Sequence, residues 1–349
     1  MEHQEQPHKR RVRYKGTHPR SYKEKYKELQ PDKYGDIIEK VKSKGGTPAG
    51  THRSICVKEI LDFFQIQPGQ KGLDATLGYG GHTLEMLKCL GTEGHLYALD
   101  VDPVELVKTR KRLEDQGYGQ DMLTIRQLNF ANIDQIGAEV GPFDFVLADL
   151  GVSSMQIDNP DRGFSYKTEG PLDLRLNPEK GITAADRLKD ITQKELQGML
   201  EENADEPYAE EISRAVVTKI KKGGKITTTS ELQSIIEETL SFLPEDKRKE
   251  AVKKSCQRTF QALRIDVNHE YEVLYEFLEK LPQVLAEGGK AAILTFHSGE
   301  DRLVKKSFKR LYKEGVYSEI ANEVIRPSAE ECRDNSRARS TKMRWAVKA

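Results

Sequence analysis

Three aspartates close short apolar runs: Asp74 after KGL, Asp100 at the end of HLYALD and Asp149 at the end of FDFVLAD. Between the first two stands a glycine turn, Gly78, Gly80 and Gly81, followed by His82. Glycines let a backbone pass close to a ligand without Cβ collisions. A carboxylate 26 residues beyond Asp74 is placed to accept both hydroxyls of a ribose. The D-x-T-x-G-x-G-G-H run therefore suits a ligand whose adenosine ribose meets Asp100 and whose amino-acid end meets backbone and short side chains near 74–82, which describes S-adenosylmethionine. Spacing leaves two other readings open, a nucleotide or dinucleotide cofactor and a structural helix start. A G-x-G-x-x-G count from Gly78 requires glycine at 83, where Thr83 stands, so no pyrophosphate turn is spelled out. Blander roles also exist: a helix cap for Asp74, a polar surface or capping role for His82, and a solvent-facing loop position for Gln156. Phe130, just past the third strand, reads as core or as a cover for one face of an adenine.

These residues need elements to hold them. Apolar spacing predicts a helix over 55–64, then strand KGLDAT, helix HTLEMLKCL closed by Gly91, strand HLYALD, a helix from Pro103 to about Leu113, and strands at 122–127 and 143–149. That alternation over 71–149 is the pattern of a parallel sheet covered by helices. After Gly151 the order breaks: 152–181 is turn-rich, and 183–202, 208–222, 230–242 and 247–262 read as helices. Thr183 with Asp186 three residues on, and Thr229 or Ser230 before Glu231, are the specific helix-start signals. A helix at 269–286, the pair Gly288 and Gly289, strand KAAILTF and a strand over 338–347 complete the chain. The late strands must pair with the early ones. The expected division is thus a basic extension at 1–50, one α/β domain built from 51–151 and 263–349, and an inserted helical substrate-recognition domain at 152–262.

Composition narrows the class. With 56 Lys and Arg against 56 Asp and Glu, the chain is not a protein coated in basic side chains for indiscriminate nucleic-acid binding. The charge is nevertheless uneven, +6 over residues 1–50 and −6 over the remainder. The front segment reads either as a solvated extension or as an arm laying Arg10, Arg11, Arg13 and Lys15 on RNA phosphates. Cys56, Cys89, Cys256 and Cys332 are scattered without ligand or disulfide spacing, so no metal is expected and a reducing cytoplasm is the simplest home. No stretch approaches the ~18 apolar residues that span a bilayer, and no membrane association is expected.

Taken together, DATLGYGGHT, ALDVDP, DLGVSSMQIDNPDRGFSYKTEGPLDLRLN, GITAADRL, ITTTSEL, RTFQALRIDVNHE, AILTFHSGEDRLVK and NSRARSTKMR, in this order, carry a resemblance that covers about 52–349. The chain resembles the bacterial small-subunit ribosomal RNA methyltransferases that act on cytosine N4. The resemblance implies an α/β fold, the class I S-adenosylmethionine-dependent methyltransferase sheet with an inserted α-helical domain. It implies S-adenosylmethionine as cofactor, held by Gly80, Gly81, His82, Asp100, Phe130, Asp149 and Gln156, beside the Asp74 and Gly78 already singled out. Asp149 would lie nearest the methyl donor, with Ser153 and Ser154 shaping the same loop. The implied partner is small-subunit ribosomal RNA, in a partly or fully assembled subunit. Three departures point to a divergent branch: Gly299 stands where the family has leucine, which should loosen a loop near the target base; Ser255, Cys256 and Gln257 replace its His-Pro lead; and the first fifty residues form an extension that most relatives lack.

A cytosine amino nitrogen is a poor nucleophile because its lone pair is delocalised. Catalysis must align it behind the sulfonium methyl and accept its hydrogen bonds as charge develops. Asp149, helped by a carbonyl near Leu150, is the expected catalytic acceptor; orienting the donor's methionyl end is its competing role. The base must also be unstacked. Arg162, Phe164, Tyr166 and Arg175 are expected to stack and contact phosphates, with Arg258, Arg264, Arg337, Arg339, Lys342 and Arg344 adding positive charge. The alternatives are a same-fold methyltransferase acting on another RNA site and a non-catalytic ribosome-assembly factor that binds RNA; the intact carboxylates at 74, 100 and 149 argue against the second.

Overall fold

The computed structural model describes residues 54–349; the basic segment 1–50 and its arginines lie outside the described residues. Helix α1 (Val57–Phe64) leads to strand β1 (Lys71–Asp74), α2 (Gly81–Leu90), β2 (His95–Asp100), α3 (Pro103–Glu114), β3 (Leu123–Gln127), α4 (Ile133–Val140) and β4 (Phe143–Asp149). In α3 the Asp102 side chain accepts from the N–H groups of Val104 and Glu105, and Pro103 fills the first helical position, where no N–H is needed. Strand β4 is buried along almost its whole length, as a parallel strand covered on both faces must be.

Next come α5 (Ser154–Asp158), α6 (Ala184–Lys189), α7 (Gln193–Ala204), α8 (Ala209–Lys221), α9 (Thr229–Thr239) and α10 (Glu245–Asn268). The chain closes with α11 (Glu270–Val284), β5 (Leu285–Thr295), α12 (Ser298–Lys313), β6 (Tyr317–Ile320), α13 (Ala329–Asp334) and β7 (Lys342–Lys348). The seven strands are ordered β3-β2-β1-β4-β5-β7-β6. β1 to β5 run parallel, and β7 enters antiparallel between β5 and β6. This is the class I methyltransferase sheet the resemblance implied. Among the described residues no helix is long and apolar enough to cross a membrane.

Alternation along the strands sends neighbouring side chains to opposite faces. Val146 and Ile293 join Ile136, Phe277, Leu281 and Phe308 in one core, while Phe145, Leu147 and Leu294 join Ile60, Phe64, Met86 and Leu87 in the other. Burying a side chain such as Phe277, fully covered, stabilises the fold by roughly 1.5–3 kcal/mol. A third core is drawn entirely from residues 164–263, including Leu188, Leu200, Ile212, Val216, Ile236 and Phe260. The described residues nonetheless pack within one compact unit.

Several elements differ from the sequence expectation. The helix expected over 183–202 is two, because Thr192 and Glu195 form a reciprocal capping box that starts α7 afresh. The cap of α9 is Thr228, not Thr229 or Ser230. Helix α10 runs unbroken past 262 to Asn268 and stops where His269 adopts a left-handed φ of 51°. Strand β5 starts at Leu285, and the register shift between Phe143 and Phe145 absorbs the Gly288–Gly289 pair. The 338–347 strand begins only at Lys342, since Ser336–Ser340 is a 3₁₀ turn. Helices α4 and α12 and edge strand β6 had no counterpart in the sequence reading.

Candidate active site

The carboxyl ends of β1, β2 and β4 converge where the strand order reverses, the place at which open α/β sheets bind ligands. Asp74 is buried at the end of β1, and its two oxygens are taken internally: Oδ2 accepts from Thr83 Oγ1 at 2.7 Å and Oδ1 from the Thr76 N–H at 3.0 Å. Burial raises its pKa, with Thr83 opposing. Asp74 thus ties the glycine turn to the first turn of α2 instead of facing an opening. Gly78, at φ 47°, donates its N–H to Asp100 Oδ2 at 2.7 Å. Gly80, at φ 69°, is glycine for a packing reason: a Cβ there would sit 2.9 Å from Thr109 Cγ2, so its absence lets the turn lie on α3. Gly81 opens α2.

Asp100 accepts on both oxygens, from Gly78 and from the Asp102 N–H at 2.9 Å, which leaves each oxygen a further lone pair for a ribose hydroxyl. Burial pushes its carboxyl up to about 6, against these two N–H donors. Asp149 is different. Its backbone N–H donates to Thr76 Oγ1 at 2.6 Å, its Oδ2 lies 3.5 Å from His82 Nδ1, and its Oδ1 is buried with no donor. Burial pushes this carboxyl too up to about 6, against the pull of His82. A buried acceptor without a donor costs about 1–3 kcal/mol, and the carboxylate as a whole, its side chain 29% exposed, remains open to a ligand amine.

His82 is no surface residue. It is 8% exposed, and its Nε2 is 2.9 Å from the Ile55 carbonyl. A carbonyl can only accept, so Nε2 carries a proton, while Nδ1 faces Asp149 Oδ2. Gln156 does not face solvent either. Its Oε1 accepts from the Ser153 N–H while Ser153 Oγ caps α5, and its Nε2 donates to Asp102 Oδ2 at 2.9 Å. Ser154 is half-buried on the first turn of α5. Phe130, half-buried beyond β3, stands edge-on to Phe277 with centroids 5.1 Å apart.

Most of the residues expected to meet RNA are placed otherwise. Arg162 donates to Asp102 at 2.7 Å and to the carbonyls of Arg175 and Leu176, forming an internal strut. Phe164 is a core residue, 8% exposed, and cannot stack on a base. Tyr166 is half-buried edge-on to Phe260. Arg175 forks onto Asp173 and Arg264 onto Glu270, each pair at 2.7 Å. Arg258 is half-buried with no ion pair among the described residues. Lys342 and Arg344 pair with Asp301 and Arg337 with Asp158, whereas Arg339 is exposed. These arginines read as RNA contacts because a sequence shows a cation but hides its carboxylate. Nor does Gly299 loosen a loop: it lies in the first turn of α12, where a Cβ would fall 2.0 Å from the Tyr271 hydroxyl. Ser255 donates to buried Glu206 at 2.8 Å, and Cys256 is core.

Sequence reasoning missed Asp102, fully buried, which caps α3 and gathers both Gln156 and Arg162. The Asp-Pro helix start was its available signal. Thr76 and Thr83, which position Asp149 and Asp74, carried none.

A sequence model described as the MraW methylase family matches residues 49–349. The chain is 72% identical over 348 residues to a "Ribosomal RNA small subunit methyltransferase H 1" of Lachnoclostridium phytofermentans, covering 100% of this chain and 95% of that protein. It is 69% identical over 349 residues to a "Ribosomal RNA small subunit methyltransferase H 2" of Alkaliphilus metalliredigens, covering 100% of each. Against a "Ribosomal RNA small subunit methyltransferase H 1" of Agathobacter rectalis the identity is 65% over 346 residues, 99% of each. The alignments with the first two span the whole chain, so the basic N-terminal segment is not peculiar to it.

Proposed function

Since the chain belongs to the MraW methylase family, we propose that it transfers the methyl group of S-adenosylmethionine to the exocyclic N4 amine of a cytosine in small-subunit ribosomal RNA. The observation that carries the site assignment is the buried, donor-free Oδ1 of Asp149 at the end of β4, beside the reversal of strand order, with Asp100 at the end of β2. The residues fit the cofactor: Asp100 keeps acceptor capacity for two ribose hydroxyls, the glycine turn brings Gly78 to it, and Phe130 stands at the same edge of the sheet.

S-adenosylmethionine supplies a methyl group already activated by its sulfonium. The protein's task is alignment and proton handling. Asp149 accepts a hydrogen bond from N4 and so fixes the amine in line. As the nitrogen–methyl bond forms and the sulfur–methyl bond breaks, N4 must shed one proton. Asp149 takes it, with His82, held by the Ile55 carbonyl, 3.5 Å away to orient the carboxylate. Gln156 and Ser153 hold the following loop against Asp102, which keeps the wall of the crevice in place.

The substrate we assign is RNA already shaped in a partly or fully assembled subunit, in the cytoplasm. The self-neutralised arginines of the 162–264 region suit recognition of a preformed shape more than a grip on arbitrary RNA. The test is methyl transfer from tritiated donor to unmodified small-subunit RNA, naked and as assembled particles, followed by mass mapping of nucleosides. The expected product is N4-methylcytidine, formed faster on particles. Label on another nucleoside, or none, overturns the assignment.

A further inference from the structure

The outward face of α12 carries Arg302, Lys305, Lys306, Lys309 and Lys313, all exposed and none in an ion pair among the described residues. At about 100° per residue these five fall within an arc of roughly 100°, opposite the buried Val304, Phe308 and Leu311. The other charges of the helix are spoken for. Glu300 is buried, Asp301 binds Lys342 and Arg344, and Arg310 pairs with Glu279 and Glu314.

The arrangement sets this helix face apart from faces that neutralise themselves. On other helices several cations pair with a carboxylate three or four residues away, as in Lys58–Asp62, Lys189–Asp186, Arg214–Glu210 and Lys253–Glu250. On α12, Arg302 and Lys306, Lys305 and Lys309, and Lys309 and Lys313 are like charges four apart, an arrangement that destabilises a helix. Folding gains nothing from it, and an extended polyanion would neutralise it.

Position supplies the second argument. Helix α12 begins three residues after β5, whose Leu294 is the register partner of Asp149 on β4. The helix therefore starts at the sheet end that carries Asp149, and the stripe begins one turn in, at Arg302, and extends about 16 Å. We propose that it is the phosphate-backbone track for the ribosomal RNA strand leading to the target base. The proposal rests on the RNA methyltransferase reading above.

The test is a triple variant, Lys305→Gln, Lys306→Gln and Lys309→Gln, in the full chain, with Lys→Arg at the same three positions as the charge-keeping control. Binding of small-subunit ribosomal RNA is measured against salt, beside KM, kcat and S-adenosylmethionine affinity. Three lost phosphate contacts should reduce the log–log salt slope by about 2 and weaken RNA binding about tenfold. KM for RNA should rise in step, with kcat at saturation and cofactor affinity unchanged and the arginine control close to wild type. An unchanged slope and KM in an enzyme that methylates RNA overturns the track. A wild type that transfers no methyl group, while the variant still loses slope, overturns the proposed function and leaves the track standing.

Discussion

Asp149 and Asp100 are the two groups on which the chemistry divides. Both carboxyls are pushed by burial from an ordinary 3.8 to about 6, but one keeps two internal N–H donors and the other keeps an oxygen with none. Removing the charge of Asp149 while keeping its shape, Asp149→Asn, should lower kcat about 100-fold or more and leave S-adenosylmethionine affinity within a few-fold, measured by single-turnover transfer and calorimetry. Asp100→Ala should do the reverse, weakening cofactor binding about 10- to 100-fold through loss of charged hydrogen bonds to the ribose. Since Asp149 must be ionised to accept, kcat should rise through pH 6 and level off above it. The stability effect has the opposite sign. A carboxyl whose folded pKa is raised holds its proton more tightly when folded, so the free protein loses stability as pH climbs from about 4 through about 6. Asp149→Asn should therefore melt above wild type at pH 8 and match it near pH 4; an equal offset at both would remove the titration from the account.

At the scale of elements, α11 and α12 share a buried core and one especially tight contact. Gly299 leaves the room that the Tyr271 ring fills, and the Tyr271 hydroxyl donates to the Asn203 carbonyl on α7 at 3.3 Å. Gly299→Leu should cost about 1–3 kcal/mol in denaturant unfolding through overpacking, and the cost should shrink in a Tyr271→Ala background. Equal costs in both backgrounds would show that the ring does not contest this space. Caps mattered as much as periodicity. Thr192 with Glu195 splits what apolar spacing joined, and α10 crosses the boundary expected at 262 because its apolar side is satisfied first by the 164–263 core and then at Ile265.

For the molecule as a whole, the separate cores predict separable failures. Leu200, fully buried in the 164–263 core, and Leu147, fully buried under the sheet, should each cost about 2–5 kcal/mol when cut to alanine. Saturating S-adenosylmethionine, at about 100 times its Kd, should return about 2.7 kcal/mol to the Leu200→Ala protein as to wild type. In Leu147→Ala, where β4 pairs with Asp74 of β1, the returned amount should be smaller, read as the ligand-induced shift in thermal midpoint. The same shift in both would mean that the crevice does not depend on the local packing of β4.

Much of the chemistry was legible in one dimension because it is written locally. A strand-end aspartate, a glycine turn and a helix start occupy a dozen consecutive residues, and their backbone geometry follows from residue type. Asp74, Gly78, Gly80, Gly81, His82, Asp100 and Asp149 lie together at the carboxyl ends of β1, β2 and β4, tied by hydrogen bonds among themselves and to Thr76 and Thr83. What needed three dimensions was the fate of charge. Arg162, Arg175 and Arg264 look the same on paper as Arg302 and Lys305, yet the first three are bound to carboxylates and carbonyls and the last two are not. Arg162 meets its carboxylate, Asp102, 60 residues away in sequence and 2.7 Å away in space. A cation's availability depends on such distant partners, and only the packed chain brings them together.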